Sequence, residues 1–330
     1  MADLSPRPLV SVVIPNWNGV HHLPLCLDSL RRQEYAPLEI LVVDNASTDG
    51  SRELLTRDYP EVHLIALPQN QGFTGACNAG IQAAQGEIIA LLNNDTEVDP
   101  GWAAALVDAF ARHPEAGLVA SKILLFDRRD HLHTAGDLFR VDGRLFNRGV
   151  WEKDEGQYDE ETYVFSACGG AAAYRRTMLD EIGLLDDDFF FSCEDMDLAW
   201  RAQLAGYRCV YTPAAVVYHR LSATGGGVTA SYHDGRNLIW LLVKNYPSPL
   251  WRKHGPKVLR AQLSLAWEAL RAWRGAAARA RLCGMLAGVF GIPRMWRKRR
   301  AIQRSRRVSI EYLESIMTPM PAGRPASSRK

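Results

Sequence analysis

At 330 residues, with 47% apolar and 23% charged side chains, the chain has the composition of a globular protein large enough for one α/β domain and an appendage, and not that of a disordered or collagen-like chain. The formal charge of +2 hides a segregation: residues 1–250 carry 20 Lys/Arg against 34 Asp/Glu, and residues 251–307 carry 16 against 1. An acidic body and a basic tail imply two different partners.

In chain order, an apolar strand is predicted over residues 9–14 and a helix over 22–32, with Leu23, Leu27 and Leu30 on one face. A strand over 40–43 precedes a helix from Ser51, whose cap candidates are Ser47, Thr48 and Asp49. Strands follow at 62–66, 88–92 and 118–126, and helices at 75–84 and 102–112; this alternation is that of a doubly wound sheet. Between residues 127 and 164 the periodicity breaks into Gly, Asp, Arg and aromatic residues, read as loops or short hairpins covering one side of a site. The segment 167–175, a helix over 195–205 and a strand over 208–211 resume the fold. A glycine loop follows at Gly225 to Gly227, the chain is helical from Tyr232, and 322–330 reads as a frayed end.

Six cysteines without a C-x-x-C pair support neither a zinc knuckle nor a disulfide framework; buried thiols in a reducing compartment fit better. No secretory signal pattern is seen, and the apolar run 282–293 is too short to span a bilayer.

Three segments end apolar runs in amides and carboxylates, VSVVIPNWN from Val10, LVVDNASTDGS from Leu41 and LLNNDTEVDPGW from Leu91, and a fourth, FFSCEDMDLAWRAQLAGYR from Phe190, brings a second acidic cluster. Such ends lie where a parallel sheet presents its carboxyl edge to a ligand. With NQGFTGACNAGI, GGAAAYRR and PAAVVYH, in this order and spacing, the chain resembles the family 2 glycosyltransferases, and within them the bacterial rhamnosyltransferase-like members. The resemblance covers about residues 9–246. It implies a GT-A fold: a mixed, mostly parallel Rossmann-like sheet flanked by helices, catalysing inverting transfer from a nucleotide sugar. The expected organisation is a catalytic domain over 1–246, a basic amphipathic helical region over 247–321, and a flexible tail.

The resemblance also assigns residues. Pro15, Asn16, Asn18 and Asp44 would shape the nucleotide pocket, although Asp44 and Asn45 also read as an Asx turn. Asn70 and Gly72 belong to a donor-side loop where glycine lets backbone approach phosphate. Asn93, Asn94 and Asp95 occupy the D-x-D metal position; Asn93 replaces its first acid, leaving Asp95 as the anionic ligand for Mg2+ or Mn2+, with His219 of the P-x-A-x-x-x-H pattern beside it. Asp195, with Glu194 next, is the expected proton acceptor, while Ser192 to Asp195 also reads as a helix capping box. Arg236 would neutralise the departing diphosphate, with a surface helix arginine as the plain alternative.

In the tail, Trp251, Leu259, Leu263, Trp267, Leu270 and Trp273 interleave with arginines and suit an anionic bilayer surface, which the acidic body also favours over nucleic acid. The expected setting is the inner face of the cell membrane, with a glycan or lipid-linked glycan as acceptor. Two other readings remain: a sugar-phosphate nucleotidyltransferase, disfavoured because no G-x-G-x-R loop follows the first strand, and an inactive nucleotide-sugar-binding protein, suggested by Asn93.

Overall fold

The structure, a computed structural model, describes residues 7–221 and 227–320; the expectations for Gly225, Gly226 and 322–330 lie outside these residues. Strands β1 (Val10–Asn16), β2 (Leu38–Asp44), β3 (His63–Ala66) and β4 (Ile88–Leu92) pair in parallel in the order β4-β1-β2-β3. Helices α1 (Leu23–Arg31), α2 (Ser51–Asp58) and α3 (Gly72–Ala83) connect them. β1 is buried from Val10 to Ile14 because both faces are covered, which is why its apolar residues, Val10, Val12, Val13 and Ile14, fall on both faces rather than alternating with exposed ones. Val10, Val12 and Ile14 join one apolar cluster with Trp102 and Phe110, and Val13 joins another with Ile81 and Tyr174.

β5 (Thr96–Val98) and α4 (Trp102–Arg112) lead into β6 (Ala116–Leu125). β7 (Arg128–Thr134) folds back on β6, and β8 (Asp137–Phe139) with β9 (Leu145–Asn147) forms a separate hairpin. β10 (Thr162–Val164), β11 (Ala171–Arg175), α5 (Arg176–Ile182), α6 (Glu194–Ala205) and β12 (Arg208–His219) complete a sheet of order β10-β12-β6-β11-β4-β1-β2-β3. β11 runs antiparallel between β4 and β6, so the sheet is mixed. The region 127–164 thus holds four strands, of which β8 and β9 form a short hairpin of the kind expected there. β12 runs on to His219 beyond the strand expected at 208–211, a register shift between Thr212 and Val216 absorbing Pro213.

Five helices follow: α7 (Gly227–Asn245), α8 (Ser248–Arg271), α9 (Ala276–Phe290), α10 (Ile292–Arg304) and α11 (Ile310–Ile316). The boundary expected at residue 246 runs through a core rather than between two. Phe139, Trp200 and Tyr246 pack in one cluster with Leu250, Val258, Met295 and Leu313, the Phe139 and Trp200 rings 4.9 Å apart. Charge adds to this contact. Lys298 lies 2.7 Å from Asp188, Arg294 pairs with the same carboxylate, and the Arg299 guanidinium donates to the Val243 and Tyr246 carbonyls at 2.9 and 2.6 Å. Part of the basic tail therefore neutralises the acidic body.

α9 lies against α7 through glycines. A Cβ on Gly284 would stand 2.0 Å from the Tyr232 carbonyl oxygen, and one on Gly288 2.9 Å from that of Arg236. Helix propensity alone would make Gly284→Ala stabilising by about 1 kcal/mol. The close approach predicts the opposite, a loss of about 1–3 kcal/mol as backbones are forced apart, measurable as a lower urea midpoint at unchanged m-value. Truncation after Tyr246 should expose the shared core and give little soluble, cooperatively melting protein, as checked by expression yield and calorimetry.

Candidate active site

The carboxyl ends of β1, β2 and β4 converge with the start of α6 around a cleft of about 1000 Å³. Pro15, Asn16, Asn45, Asn70, Gly72, Asn93 and Asn94 form one wall, and Asp137, Cys168, Glu194 and Asp195 also line the cleft. Amides tie the first wall together. The Asn94 side chain donates to Asn16 Oδ1 at 2.7 Å, and Asn45 Nδ2 donates to Asn70 Oδ1 and the Gly72 carbonyl, each at 3.0 Å. Gly72 has φ +74°, and a Cβ there would meet the Phe190 carbonyl oxygen at 2.5 Å, so the turn into α3 requires glycine. α3 consequently begins at Gly72, three residues earlier than expected, with its amino end at the cleft.

Asp44 stands at the end of β2 as expected, but its buried carboxylate is used internally. It accepts from Asn16 Nδ2, from the Ser47 N–H at 3.2 Å and from the Arg52 guanidinium, leaving Asn45 to line the cleft. Asn18 is likewise structural: its N–H donates to Ser47 Oγ at 2.9 Å and its Oδ1 accepts from the Thr48 N–H at 2.8 Å, joining the first two loops away from the cleft. The Asx-turn reading describes this region better than a ligand role.

Asp95 and His219 come together through strand pairing. β5 runs antiparallel to the end of β12 with Thr96 opposite His219, which sets His219 Nε2 3.1 Å from Asp95 Oδ1 and 3.4 Å from Asn93 Nδ2. His133 of β7 lies on the far side, its Nδ1 3.2 Å from His219 Nδ1. Burial, and then His219, push the His133 pKa down to about 3, so it is neutral at physiological pH. One carboxylate and one imidazole suit a hard or borderline divalent ion; a diphosphate would have to complete the shell.

Glu194 and Asp195 open α6 after a strained approach: Phe190, Ser192 and Cys193 have φ of 63°, 70° and 66°. Asn237 holds this turn, its Nδ2 lying 2.9, 2.8 and 2.7 Å from the carbonyl oxygens of Phe189, Phe191 and Ser192. Arg236 assists by donating to the carbonyls of Asp188 and Phe189 at 3.1 and 2.8 Å. Arg236 is thus a brace behind the site and does not line the cleft. The cations that do are Arg144 and Arg281, and nothing in their sequence context singled them out.

No capping box forms. The N-cap is Cys193, without a side-chain bond, and Ser192 donates instead to Asp234. Asp195 accepts from the Gly169 N–H at 2.9 Å and from its neighbour Met196 at 2.7 Å. Burial raises the Asp195 pKa while these N–H groups oppose the rise. Glu194 has no such support: its Oε2 is buried without a partner, and burial followed by the Asp195 charge holds its pKa well above the carboxylate range. Asp195 is therefore the better base of the two and Glu194 the better-buried neutral acid.

Residues 11–183 match the family model of glycosyl transferase family 2. The chain belongs to that family and is a glycosyltransferase. It is 29% identical over 288 residues to an N-acetylglucosaminyl-diphospho-decaprenol L-rhamnosyltransferase of Mycobacterium tuberculosis, covering 80% of this chain and 92% of that one. It is 31% identical to the glycosyltransferase YwdF of Bacillus subtilis, covering 74% and 84%. Among solved structures it resembles a mannosyltransferase of Pyrobaculum calidifontis in complex with GDP-Man and Mn2+, with a TM-score of 0.56, 20% identity, and coverage of 92% and 87%. It also resembles GalNAc-T7 with UDP, GalNAc and Mn2+, with a TM-score of 0.60, 18% identity, and coverage of 73% and 48%. These likenesses establish the GT-A fold.

Asn237 Nδ2 holds three backbone carbonyls and its Oδ1 accepts from Arg236 Nε at 2.8 Å, so Asn237→Ala should leave the cleft lining intact yet release the turn that aims Asp195. Turnover should fall at least tenfold, with a stability loss of about 1–3 kcal/mol from the unpaired buried carbonyls, as read from steady-state kinetics and denaturation together.

Proposed function

We propose that the protein transfers a sugar with inversion from a nucleoside-diphosphate donor, dTDP-rhamnose first and a UDP-sugar second, to a hydroxyl of a lipid-linked glycan in cell-surface polysaccharide synthesis. The observation that carries this reading is the placement of Asp195 in one cleft with Asn93, whose side chain adjoins the Asp95–His219 pair. The M. tuberculosis relative, by its name a rhamnosyltransferase acting on a diphospho-decaprenol-linked sugar, supports the donor and acceptor.

The acceptor hydroxyl attacks the anomeric carbon opposite the diphosphate; the new C–O bond forms as the bond to phosphate oxygen breaks, and the nucleoside diphosphate departs with that electron pair. Asp195 takes the hydroxyl proton. Its two N–H donors stabilise the anionic form against burial and orient the carboxylate before attack. Asp95 and His219 would hold Mg2+ or Mn2+, which when bound would neutralise charge on the leaving diphosphate. With Asn93 in place of an acid, that binding would depend on the donor. The nucleotidyltransferase reading gains no support from the cleft, where the first-strand turn is Pro15-Asn16-Trp17 rather than glycine-rich.

The tail supports a peripheral location on the cytoplasmic side of a membrane. No helix among the described residues is long and apolar enough to cross one. Leu259, Leu263, Trp267 and Leu270 form an exposed stripe on α8, followed by Trp273, and Phe290 of α9 is 83% exposed. Arg260, Arg271, Arg274, Arg297 and Arg300 have no carboxylate partner among the described residues, so this part of the basic charge is left for an anionic surface. Trp251 leaves the expected face to pack on Tyr246, their rings 5.6 Å apart.

Asp195→Asn should lower transfer by at least a thousandfold with melting temperature nearly unchanged, whereas Glu194→Gln should keep most activity; the reverse order would reassign the base. Asp95→Ala should abolish metal-stimulated transfer, and chelator-insensitive turnover in it would remove the metal from the reading. Trp267→Ala/Trp273→Ala should weaken binding to anionic vesicles at low salt by about tenfold without altering transfer to a soluble acceptor; equal binding by wild type and variant in sedimentation would refute the membrane contact.

A further inference from the structure

Asp137, at the start of β8, is a cleft residue that neither the motifs nor the mechanism above employs. Its backbone is fixed: its N–H donates to the Ser166 carbonyl at 2.9 Å, and its own carbonyl accepts from the Phe165 and Ser166 N–H groups at 3.2 and 3.1 Å. The side chain is 92% buried, with 8% exposed, yet it lines the cleft. Both of its hydrogen bonds fall on one oxygen, Oδ1, from Thr134 Oγ1 at 2.8 Å and Asn147 Nδ2 at 3.1 Å. Among the described residues Oδ2 has no partner. Side-chain atoms of Asp137, Cys168 and Asp195 lie within 4.8 Å of one another, so Asp137 stands beside the base at the reacting end of the cleft.

We propose that Asp137 is an acceptor-binding residue: its Oδ2 hydrogen-bonds a ring hydroxyl next to the attacking one, while Asp195 receives the proton of the attacking hydroxyl. The inference rests on the transferase reading above and specifies its acceptor as a saccharide with a free hydroxyl on the carbon beside the one glycosylated. Hydroxyls on neighbouring ring carbons can reach both carboxyl groups at once, and a lone alcohol cannot. The two acids divide the roles by their surroundings. Asp195 has two N–H donors to stabilise an anion; Asp137 has one hydroxyl and one amide on a single oxygen. Burial, reinforced by the Asp195 charge, pushes the Asp137 pKa up to about 8. The titratable groups facing it are Asp195 from α6, Cys168 from the turn before β11 and Cys209 from β12, the two thiols being held neutral chiefly by burial. Thr134 and Asn147, its partners on β7 and β9, do not titrate. Asp137 is therefore a neutral acid at physiological pH with its Oδ2 proton available to donate, and it loses that proton as pH rises through about 8.

The test uses the full chain with dTDP-rhamnose and a panel of N-acetylglucosaminyl diphosphates on a short prenyl chain, either intact or deoxygenated at single ring positions. Asp137→Ala should raise the acceptor KM at least tenfold while leaving the donor KM and slow donor hydrolysis within twofold. Wild-type kcat/KM should fall above about pH 8; Asp137→Asn, whose amide still donates, should raise the acceptor KM only about threefold and should abolish that fall. One deoxygenated acceptor should be as poor for wild type as the intact acceptor is for Asp137→Ala. Carboxyl 13C NMR on aspartate-labelled protein should show one resonance titrating near pH 8 that Asp137→Asn removes. An unchanged acceptor KM in Asp137→Ala, an alkaline limb persisting in Asp137→Asn, or an Asp137 carboxyl already ionised at pH 7 would overturn the inference. Failure of wild type to transfer to any acceptor would overturn the proposed donor and acceptor instead, and wild-type turnover tells the two failures apart.

Discussion

The position of Asp195, the proposed base, depends on a carboxylate two residues further along the same helix. Asp197 is fully buried in α6 and accepts from Arg201 Nε at 3.0 Å, Lys244 Nζ at 2.7 Å and Asn245 Nδ2 at 2.7 Å. Burial works against its charge, but Lys244 and Arg201 outweigh that and hold its pKa below the usual range. The stabilisation it contributes is full above the ordinary carboxylate pKa and is lost as pH falls through the lower, folded value. Arg201 also donates to the carbonyls of Ile182, Gly183 and Leu184, and Lys244 reaches Asp186. α5, α6 and α7 thus meet at one buried anion, and Asp195 inherits its orientation from that junction. Such a centre is costly to desolvate and costlier to leave half-paired.

Most of the sheet is legible in the sequence because continuous apolar runs in a two-faced sheet have few other uses. β4 and α4 fall on their expected residues, and β1, β2 and β6 within two or three positions at either end. The shortfalls share a cause. β5 is three residues long, and β8 to β10 are no longer, so no periodicity can announce them, and β5 and β10 find their partner, β12, far along the chain. It is nevertheless β5 that brings Asp95 to His219 and β8 that delivers Asp137 to the cleft. The family pattern placed Asn16, Asn70, Gly72, Asn93 and Asn94 on the cleft wall, but it could not tell a residue facing the cleft from one bracing it. Asp44, Asn18 and Arg236 each hydrogen-bond partners within the chain, and those partners are set by tertiary structure.

The division of charge reads differently in three dimensions. A sequence with an acidic body and a basic tail suggests a tethered arm, whereas Lys298, Arg294 and Arg299 close onto Asp186, Asp188 and the end of α7, above an apolar core to which both halves contribute. Only the remaining arginines are free to act outward. The same helices supply Leu238, Leu265 and Arg281 to the cleft wall, so the extension is part of the active-site enclosure as well as its exterior face.

The strained turn from Phe190 to Cys193 also sets an order of assembly. Its left-handed residues are held by an amide that lies 46 positions further along the chain at its Phe191 contact, and α7 in turn is held by α9 and α10. During vectorial synthesis the sheet and α6 leave the ribosome well before these props exist. Until they arrive, the turn can relax to ordinary backbone angles and Asp195 has no fixed aim. A partly synthesised chain would thus carry the nucleotide-facing edge of the sheet without the means to deprotonate an acceptor, and competence for transfer would come last.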